Sequence, residues 1–485
     1  MKSNNQKILI CVLWSVTLLI FLFSAPSISA ASMRYEQLVG VIDIRTTYSD
    51  GDFTAEQLVE MAGPRGIDVL VITDHDRIVF QYGLFPFRNL LRLRVEKPSV
   101  IKNGAKRYLE MLDDVNKKSN NVIIIPGIES APFYYWSGWP FPGKITAHAW
   151  EKHLLVLGIE DPQKIEALPV LHSSFNLMHV KHYLPMTLLF SVPFLISLGL
   201  LIILKKRKWW SWALLLLTFL LLVEHHPFQS SPFDPYHGDQ GITPYQALID
   251  YVDACGGMSF WSHPETRTGV RDLGAIKVST PPHPEDLLKA KNYTGIAAVY
   301  GDVIKATEPG REWDTVLDEY CQGIRKRPCW GISSSDYHNE HPVTLGEYIT
   351  TFLVKDRSKN GVMEAIRAGR MYNYIGPQEE RIRLSCFEIE DPRTGEKAVM
   401  GETITCYASP IVRIKAYTDK GDDFPLSLKV IRSGKVCYQE TGKGGIDVSW
   451  QDQDIPSDQK YFYRIELKGK GRMLSNPIFF TIGSS

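Results

Sequence analysis

The sequence predicts an α/β barrel of seven strands, interrupted by an apolar helical hairpin and followed by a β-sandwich. Three observations carry that prediction. Apolar strand-like runs alternate with amphipathic helical stretches from about residue 38 to residue 377, the signature of an α/β domain. Tyr183–Leu204 carries no charge over 22 residues, enough to cross a hydrocarbon core of ~30 Å as a helix. From residue 379 to residue 485, short alternating runs are separated by Gly, Asp and Lys turns, which reads as an antiparallel sandwich of ~100 residues.

At the N-terminus, Lys2 and Lys7 precede an uncharged stretch from Ile8 to Phe23, then Ala25, Pro26 and the small residues Ser29, Ala30 and Ala31. Residues 1–31 therefore read as an export signal, cleaved after Ala31 or kept as an anchor, and either form places the residues after it outside the cytoplasm. The strand runs are Leu38–Ile44, Val69–Thr73, Val122–Ile128, Leu154–Ile159, Met258–Trp261, Ile296–Tyr300 and Cys329–Ile332. Helical patterns at Ala55–Arg65, Ile101–Lys117, Pro244–Cys255 and Trp313–Arg325 lie between them. Seven strands suggest a barrel rather than an open sheet, although the pattern does not decide closure.

The hairpin spans residues 183–223. Its second run, Trp209–Val223, reaches only ~22 Å as a helix, and Trp209, Trp210 and Trp212 suit an interfacial belt. Lys205, Lys206, Arg207 and Lys208 mark the turn as cytoplasmic. The expected location is the cell membrane, with the catalytic and sandwich domains extracytoplasmic and membrane lipid as a partner.

Composition removes other classes. Lys+Arg and Asp+Glu are both 54, so no basic excess points to nucleic acid. With 44% hydrophobic and 22% charged residues, general disorder is excluded. Seven cysteines without a CxxC pair exclude a disulfide scaffold. Cys386, Cys406 and Cys437 fall in the sandwich, where an oxidising compartment allows pairing of unreadable connectivity. The sandwich holds no histidine, so no catalysis is expected there.

Groups of metal-ligand type gather at the strand ends. Tyr48-Ser49-Asp50-Gly51 follows the first run, Thr73-Asp74-His75-Asp76 closes the second, and Pro126-Gly127-Ile128-Glu129 closes the third. Ser262-His263-Pro264 closes the fifth and Ser335-Asp336-Tyr337-His338 the seventh. His153 instead precedes its run, which the pattern does not explain. In parallel α/β folds ligand sites collect at the carboxyl ends of strands. Carboxylates and imidazoles without thiols suit Zn²⁺, Mn²⁺ or Fe²⁺. His148, His172, His179, His182, His225, His226 and His237 lack that placement and read as surface or interfacial residues.

The order TTYSDG, ITDHD, PGIE, HLLVLGI, SHP and SSSDYH resembles the polymerase-and-histidinol-phosphatase (PHP) superfamily. Trp330-Gly331, Asp336-Tyr337-His338, Gly361, Ala368-Gly369-Arg370 and Leu474-Ser475-Asn476-Pro477-Ile478 are similar to its carbaryl-hydrolase-like branch. The resemblance covers nearly everything from Leu38 except the hairpin. It implies a distorted seven-stranded (β/α) barrel holding up to three metals and hydrolysing phosphoesters or, in this branch, aryl esters and carbamates. It implies one metal site of Glu129, His153 and His263, and a second of Asp50, His75 and His338. The third would use Glu129, Asp336 and a His-x-His pair, but Asp43-Ile44-Arg45 stands there. Asp43 can still ligate, whereas the Arg45 guanidinium stays protonated and cannot. Two metals are therefore expected, with Arg45 as a clamp for an anionic substrate and Asp74 supporting the ligands. The expected activity is hydrolysis of a small phosphoester by a metal-activated water. A carboxyl-ester or carbamate hydrolase, and a degenerate barrel kept as a binding or sensor module, are the alternatives.

Overall fold

The computed structural model describes residues 35–483, apart from 141–142, 172–176, 204–208, 267–268, 275, 302–303, 422–423, 454 and 457–458. The export signal expected over residues 1–31 and the cationic turn at residues 205–208 lie outside the described residues.

Seven strands occupy the seven apolar runs: β1 (Glu36–Ile44), β2 (Val69–Ile72), β3 (Ile123–Ser130), β4 (Leu154–Leu157), β5 (Met258–Trp261), β6 (Gly295–Val299) and β7 (Trp330–Ser333). They neighbour one another in chain order. Every residue of β2, β4, β5, β6 and β7 is buried, as expected of strands covered on both faces. Helix Ala55–Ala62 starts at a capping box, in which the Thr54 hydroxyl accepts from Gln57 N–H and the Gln57 side chain accepts from Thr54 N–H. Helix Ala105–Lys118 buries Ala105, Tyr108, Leu112 and Val115, one stripe at helical spacing.

Strand β4 runs antiparallel to both β3 and β5. Leu154, its first residue, pairs with Ser130 and Trp261, the last residues of those neighbours. His153 therefore stands at the same end of the sheet as the other strand-end groups, even though it precedes its strand.

The sheet does not close as the barrel expectation requires, because among the described residues no ladder joins β7 to β1. The outer edge of β7 is instead met by side-chain amides. Gly331 N–H donates to Asn476 Oδ1 (2.6 Å), while Gly331 O accepts from Asn476 Nδ2 (3.1 Å) and Asn373 Nδ2 (2.9 Å). The seam is carried by the segment beyond β7. Ser335 N–H donates to Ile42 O, Tyr337 N–H to Asp43 O, and Arg45 N–H to Tyr337 O, at 2.8–3.0 Å.

Earlier along that same edge, opposite β2, the first half of β1 pairs with Tyr348–Val354, which pairs with Met371–Ile375 and then with Arg472–Ser475, all antiparallel. The sheet thus runs on into a strand-rich C-terminal region. There Leu384, Val412 and Ile414 of one sheet share a core with Leu428, Val430 and Ile465 of another. Gly369, at φ +72°, ends helix Lys359–Ala368 where a Cβ would sit 2.4 Å from the Trp330 ring, so only glycine fits. Cys386, Cys406 and Cys437 are all free thiols.

Helix Val180–Ile203 has 24 residues and is long and apolar enough to cross a membrane, by length and composition. Helix Trp209–Glu224 has 16 residues, ~24 Å, short of a full span. The expected pair of spans is thus met by one helix of sufficient length. The two pack together through a buried hydrogen bond between the Ser197 and Thr218 hydroxyls (2.8 Å).

Arg464 docks the C-terminal region onto helix Glu312–Cys321, donating to both oxygens of Asp314 (2.6 and 2.7 Å) with both side chains buried. Removing one partner strands the other charge, so Asp314→Ala should cost about 3–5 kcal/mol, measured by denaturant titration. Arg464→Met with Asp314→Leu should recover most of that loss. An Asp314→Ala protein as stable as the wild type would mean the ion pair does not hold the two regions together.

Candidate metal centre

The strand ends converge on one cluster. Among the described residues three groups place their ligand atoms within 4.8 Å of one another: Asp50, His75 and His338; His75, Glu129 and His153; and Glu129, His263 and Asp336. The first matches one expected set. The expected set of Glu129, His153 and His263 is divided between the other two, with Glu129 common to both. His75 Nδ1 is 3.3 Å from Glu129 Oε2, while His153 Nδ1 and His263 Nε2 are 3.2 and 3.5 Å from Glu129 Oε1. Asp50 Oδ2 is 3.6 Å from both His75 Nε2 and His338 Nε2. Glu129 is fully buried, whereas Asp336 is half exposed, so the cluster has an inner and an open side.

Glu129 Oε1 and His153 Nδ1 lie 3.2 Å apart in the interior, yet neither makes a well-formed hydrogen bond to the other or to a further group. Buried polar atoms are almost always satisfied, and an unmatched pair of this kind calls for a ligand between them. A divalent cation satisfies both, and a donor set of imidazole nitrogen and carboxylate oxygen suits Zn²⁺, Mn²⁺ or Fe²⁺. The residues therefore fit a metal.

Arg45 points inward and is completely buried. Its Nη1 donates to Asp43 Oδ1 (2.6 Å), Thr73 O (2.7 Å) and Thr73 Oγ1 (2.8 Å). Its Nη2 donates to Glu129 Oε2 and to Asp336 Oδ1 (3.3 Å). Both terminal nitrogens thus face the protein's own acceptors, which leaves no fork for a substrate anion. That geometry argues against the clamp expected of Arg45. Asp43 belongs to none of the three groups, since its Oδ2 accepts from the hydroxyls of Ser334 (2.5 Å) and Ser262 (3.3 Å). Asp74 also lies outside them. It accepts from Thr46 N–H, the Thr46 hydroxyl and the Ser49 hydroxyl (2.5–2.8 Å), and so fixes the loop that carries Asp50.

The backbone is strained at this site. Asp43, His263 and Asp336 adopt φ of +75°, +30° and +46°, a region non-glycine residues rarely enter. At Asp43 the strain accompanies a register shift between β1 and β2. Sequence reasoning missed Thr73, Ser262 and Ser334, which sit inside the strand-end motifs but have no ligand character of their own. It also passed over Asp76, whose buried carboxyl accepts from the Ser130 hydroxyl and is pushed up to about 6 by burial.

Burial opposes the charge on Glu129, but Arg45 and then His153 outweigh it and hold the carboxyl well below its usual range. Burial and the Arg45 charge push His75 down to about 4. At His263 burial is overcome by Glu129 and Asp336, and at His338 by Asp50 and Asp336, so each is raised to about 9.

No protein-family model matches the chain, and no curated protein matches it. Solved structures do. A two-domain protein from Bacteroides vulgatus containing a predicted PHP-like metal-dependent phosphoesterase is 13% identical, with a TM-score of 0.35, over 89% of this chain and 90% of that one. An amidohydrolase from Chromobacterium violaceum with bound sulfate and no metal is 14% identical, with a TM-score of 0.30, over 68% of this chain and 96% of that one. Likenesses this distant establish neither fold nor activity, and the site rests on its own geometry.

His263 and His338 hold protons at pH 7 that a metal must displace. Metal uptake by the metal-free protein should therefore release about two protons per chain near pH 7, falling toward none above about pH 9. Calorimetry in buffers of different ionisation enthalpy reads this directly, and a release that does not change with pH would count against the cluster as the binding site. Both values lie above that of free imidazole. Their contribution to metal-free stability is therefore full below about pH 6.5 and lost as pH rises through about 9.

Proposed function

We propose that this chain is a metal-dependent phosphoesterase of the PHP superfamily, held at the cell membrane with its α/β and C-terminal regions outside the cytoplasm. The observation that carries the reading is the buried Glu129 carboxylate, flanked by three imidazoles and facing an unbonded His153 nitrogen. The phosphoester class draws on the motif resemblance, and the membrane location on helix Val180–Ile203 together with the cation pattern of the sequence.

In this reading Asp50, His75 and His338 hold one cation on the open side, and Glu129 with His153 and His263 holds another within. An ion held by these residues would supply Lewis acidity, polarising an oxygen of the substrate and lowering the pKa of a water toward neutrality. The chain's own residues set the geometry. Arg45 fixes Glu129 Oε2 and brings a permanent positive charge among Asp43, Glu129 and Asp336, standing where the resemblance would place a third ion. Like-charge repulsion then disfavours a further cation beside it. Asp74 holds the loop that delivers Asp50, and substrate approaches from the half-exposed side at Asp336 and His338. Arg45 also favours one rival, a binding module, because it already neutralises part of the cluster without any ion.

Metal content measured beside turnover of an aryl phosphate and an aryl ester separates the readings. A phosphoesterase turns over the first with about two metals bound, an esterase prefers the second, and a binding module holds metal and turns over neither. Glu129→Ala should lose more than one metal equivalent, whereas Asp74→Asn should weaken metal affinity only about 10- to 100-fold. Equal retention in both variants would remove Glu129 from its bridging role. Arg45→Ala should take up one cation equivalent more than the wild type, and an unchanged stoichiometry in a folded variant would show that Arg45 does not stand in for an ion.

A further inference from the structure

The antiparallel ribbon Val79–Gly83 with Arg92–Glu96 follows β2 and has an unusual surface. Residues 84–95 contain Arg88, Arg92 and Arg94 and no acidic residue. Phe85 and Leu93 are each 74% exposed, and Leu91 and Val95 more than half exposed, far more apolar surface than a short water-facing ribbon normally shows. The turn of this ribbon is tied to the helix pair. Asn89 N–H and Leu90 N–H donate to the Glu224 carboxylate (2.8–3.1 Å), and Asn89 Nδ2 donates to Glu224 O (2.9 Å). Glu224 ends helix Trp209–Glu224, so the exposed ribbon is continuous with the exposed apolar surface of the two helices.

Behind the ribbon lies a cavity of about 860 Å³, bounded by the ribbon, the near ends of both helices and residues 225–237. Its lining sets Arg88, Arg92 and Arg94 beside two carboxylates, Glu224 and Asp234. The two carboxylates in its lining are already engaged, Glu224 by the ribbon turn and Asp234 by Tyr236 N–H and His237 Nδ1, both at 2.8 Å. Arg88 lies over the Tyr236 ring at 4.1 Å, and its buried Nε has no partner. Arg92 is exposed and makes no ion pair among the described residues. Basic side chains beside exposed apolar ones are what an amphipathic element offers to the boundary between headgroups and acyl chains.

We infer that the ribbon lies in the membrane interface and that the cavity behind it receives the phosphate headgroup of an anionic phospholipid. The inference rests on the membrane part of the proposed function and is independent of the hydrolytic part. Arg88 and Arg92 contact the headgroup, while Phe85, Leu91 and Leu93 enter the acyl boundary. None of the metal-ligand residues lines this cavity, so it is a lipid site separate from the metal cluster.

The test uses the full chain in nanodiscs of equal phosphatidylglycerol and phosphatidylcholine, with retained lipids counted by native mass spectrometry. Wild-type protein should retain phosphatidylglycerol in preference. Arg88→Gln with Arg92→Gln should cut that preference roughly 30-fold, on the basis of about fivefold per basic residue at an anionic surface. Arg88→Lys with Arg92→Lys should keep most of it, and Phe85→Ser with Leu93→Ser should lower retention of both lipids. Unchanged metal content shows that each variant is folded. Protein that never enters the nanodisc overturns the membrane reading itself. Protein that enters but holds both lipids equally, keeps its preference without the two arginines, or binds inorganic phosphate in place of lipid overturns the inference while leaving that reading standing.

Discussion

A carboxylate with no access to water governs this molecule. Glu129 is fully buried, and an unpaired charge in that position is among the most costly things a fold can contain. Three unusual features of the α/β region bring Glu129 a neighbour. The register shift at Asp43 lets Arg45 reach it from β1. Strand β4 reverses and presents His153, and the strained backbone at His263 turns an imidazole toward it from β5. Distorted backbone is tolerated where surrounding structure over-determines it, and here the surroundings are one shared electrostatic demand.

The seven strands of the α/β region and four of its helices were legible in the sequence because buried strands read as continuous apolar runs and helices as stripes. All seven runs became strands, and the motifs at their ends came together. Direction was not legible, since periodicity is the same for a strand read either way. His153 was therefore recognised as a ligand type but had no explained place until β4 proved antiparallel. Asp43 and Arg45 lie two residues apart, a spacing that puts side chains of an extended chain on one side, and both do face the interior. What occupies them was hidden, because the Thr73 carbonyl and the hydroxyls of Thr73, Ser262 and Ser334 carry no signal in a linear sequence. A guanidinium surrounded by such acceptors is a structural cation, and only the three-dimensional arrangement distinguishes that from an anion-binding one.

The ribbon at residues 79–96 escaped notice for another reason. It is too short and too arginine-rich to stand out as a buried strand, and the apolar residues of its second strand, Leu93 and Val95, face outward. A chain whose charges sum to zero gives no warning of a local basic strip, because the arginines at 88, 92 and 94 are balanced by acids elsewhere. Net charge describes how a protein behaves in bulk and says little about where a particular surface is positive.

Gly331 shows how the order of synthesis bears on this fold. Its edge of β7 is covered by Asn476, which lies 145 residues further along the chain. At about 5–20 residues per second, a nascent chain that has finished β7 waits roughly 7–30 s before the residue that seals it exists. Through that interval Asn373 can meet Gly331 O but nothing meets Gly331 N–H, so the α/β region carries a half-covered strand edge, the kind of surface on which chains associate wrongly. Assembly of the α/β region is thus held open to the last strands of the C-terminal region, and a ribosome that stalls between them leaves a nearly finished sheet exposed to its neighbours.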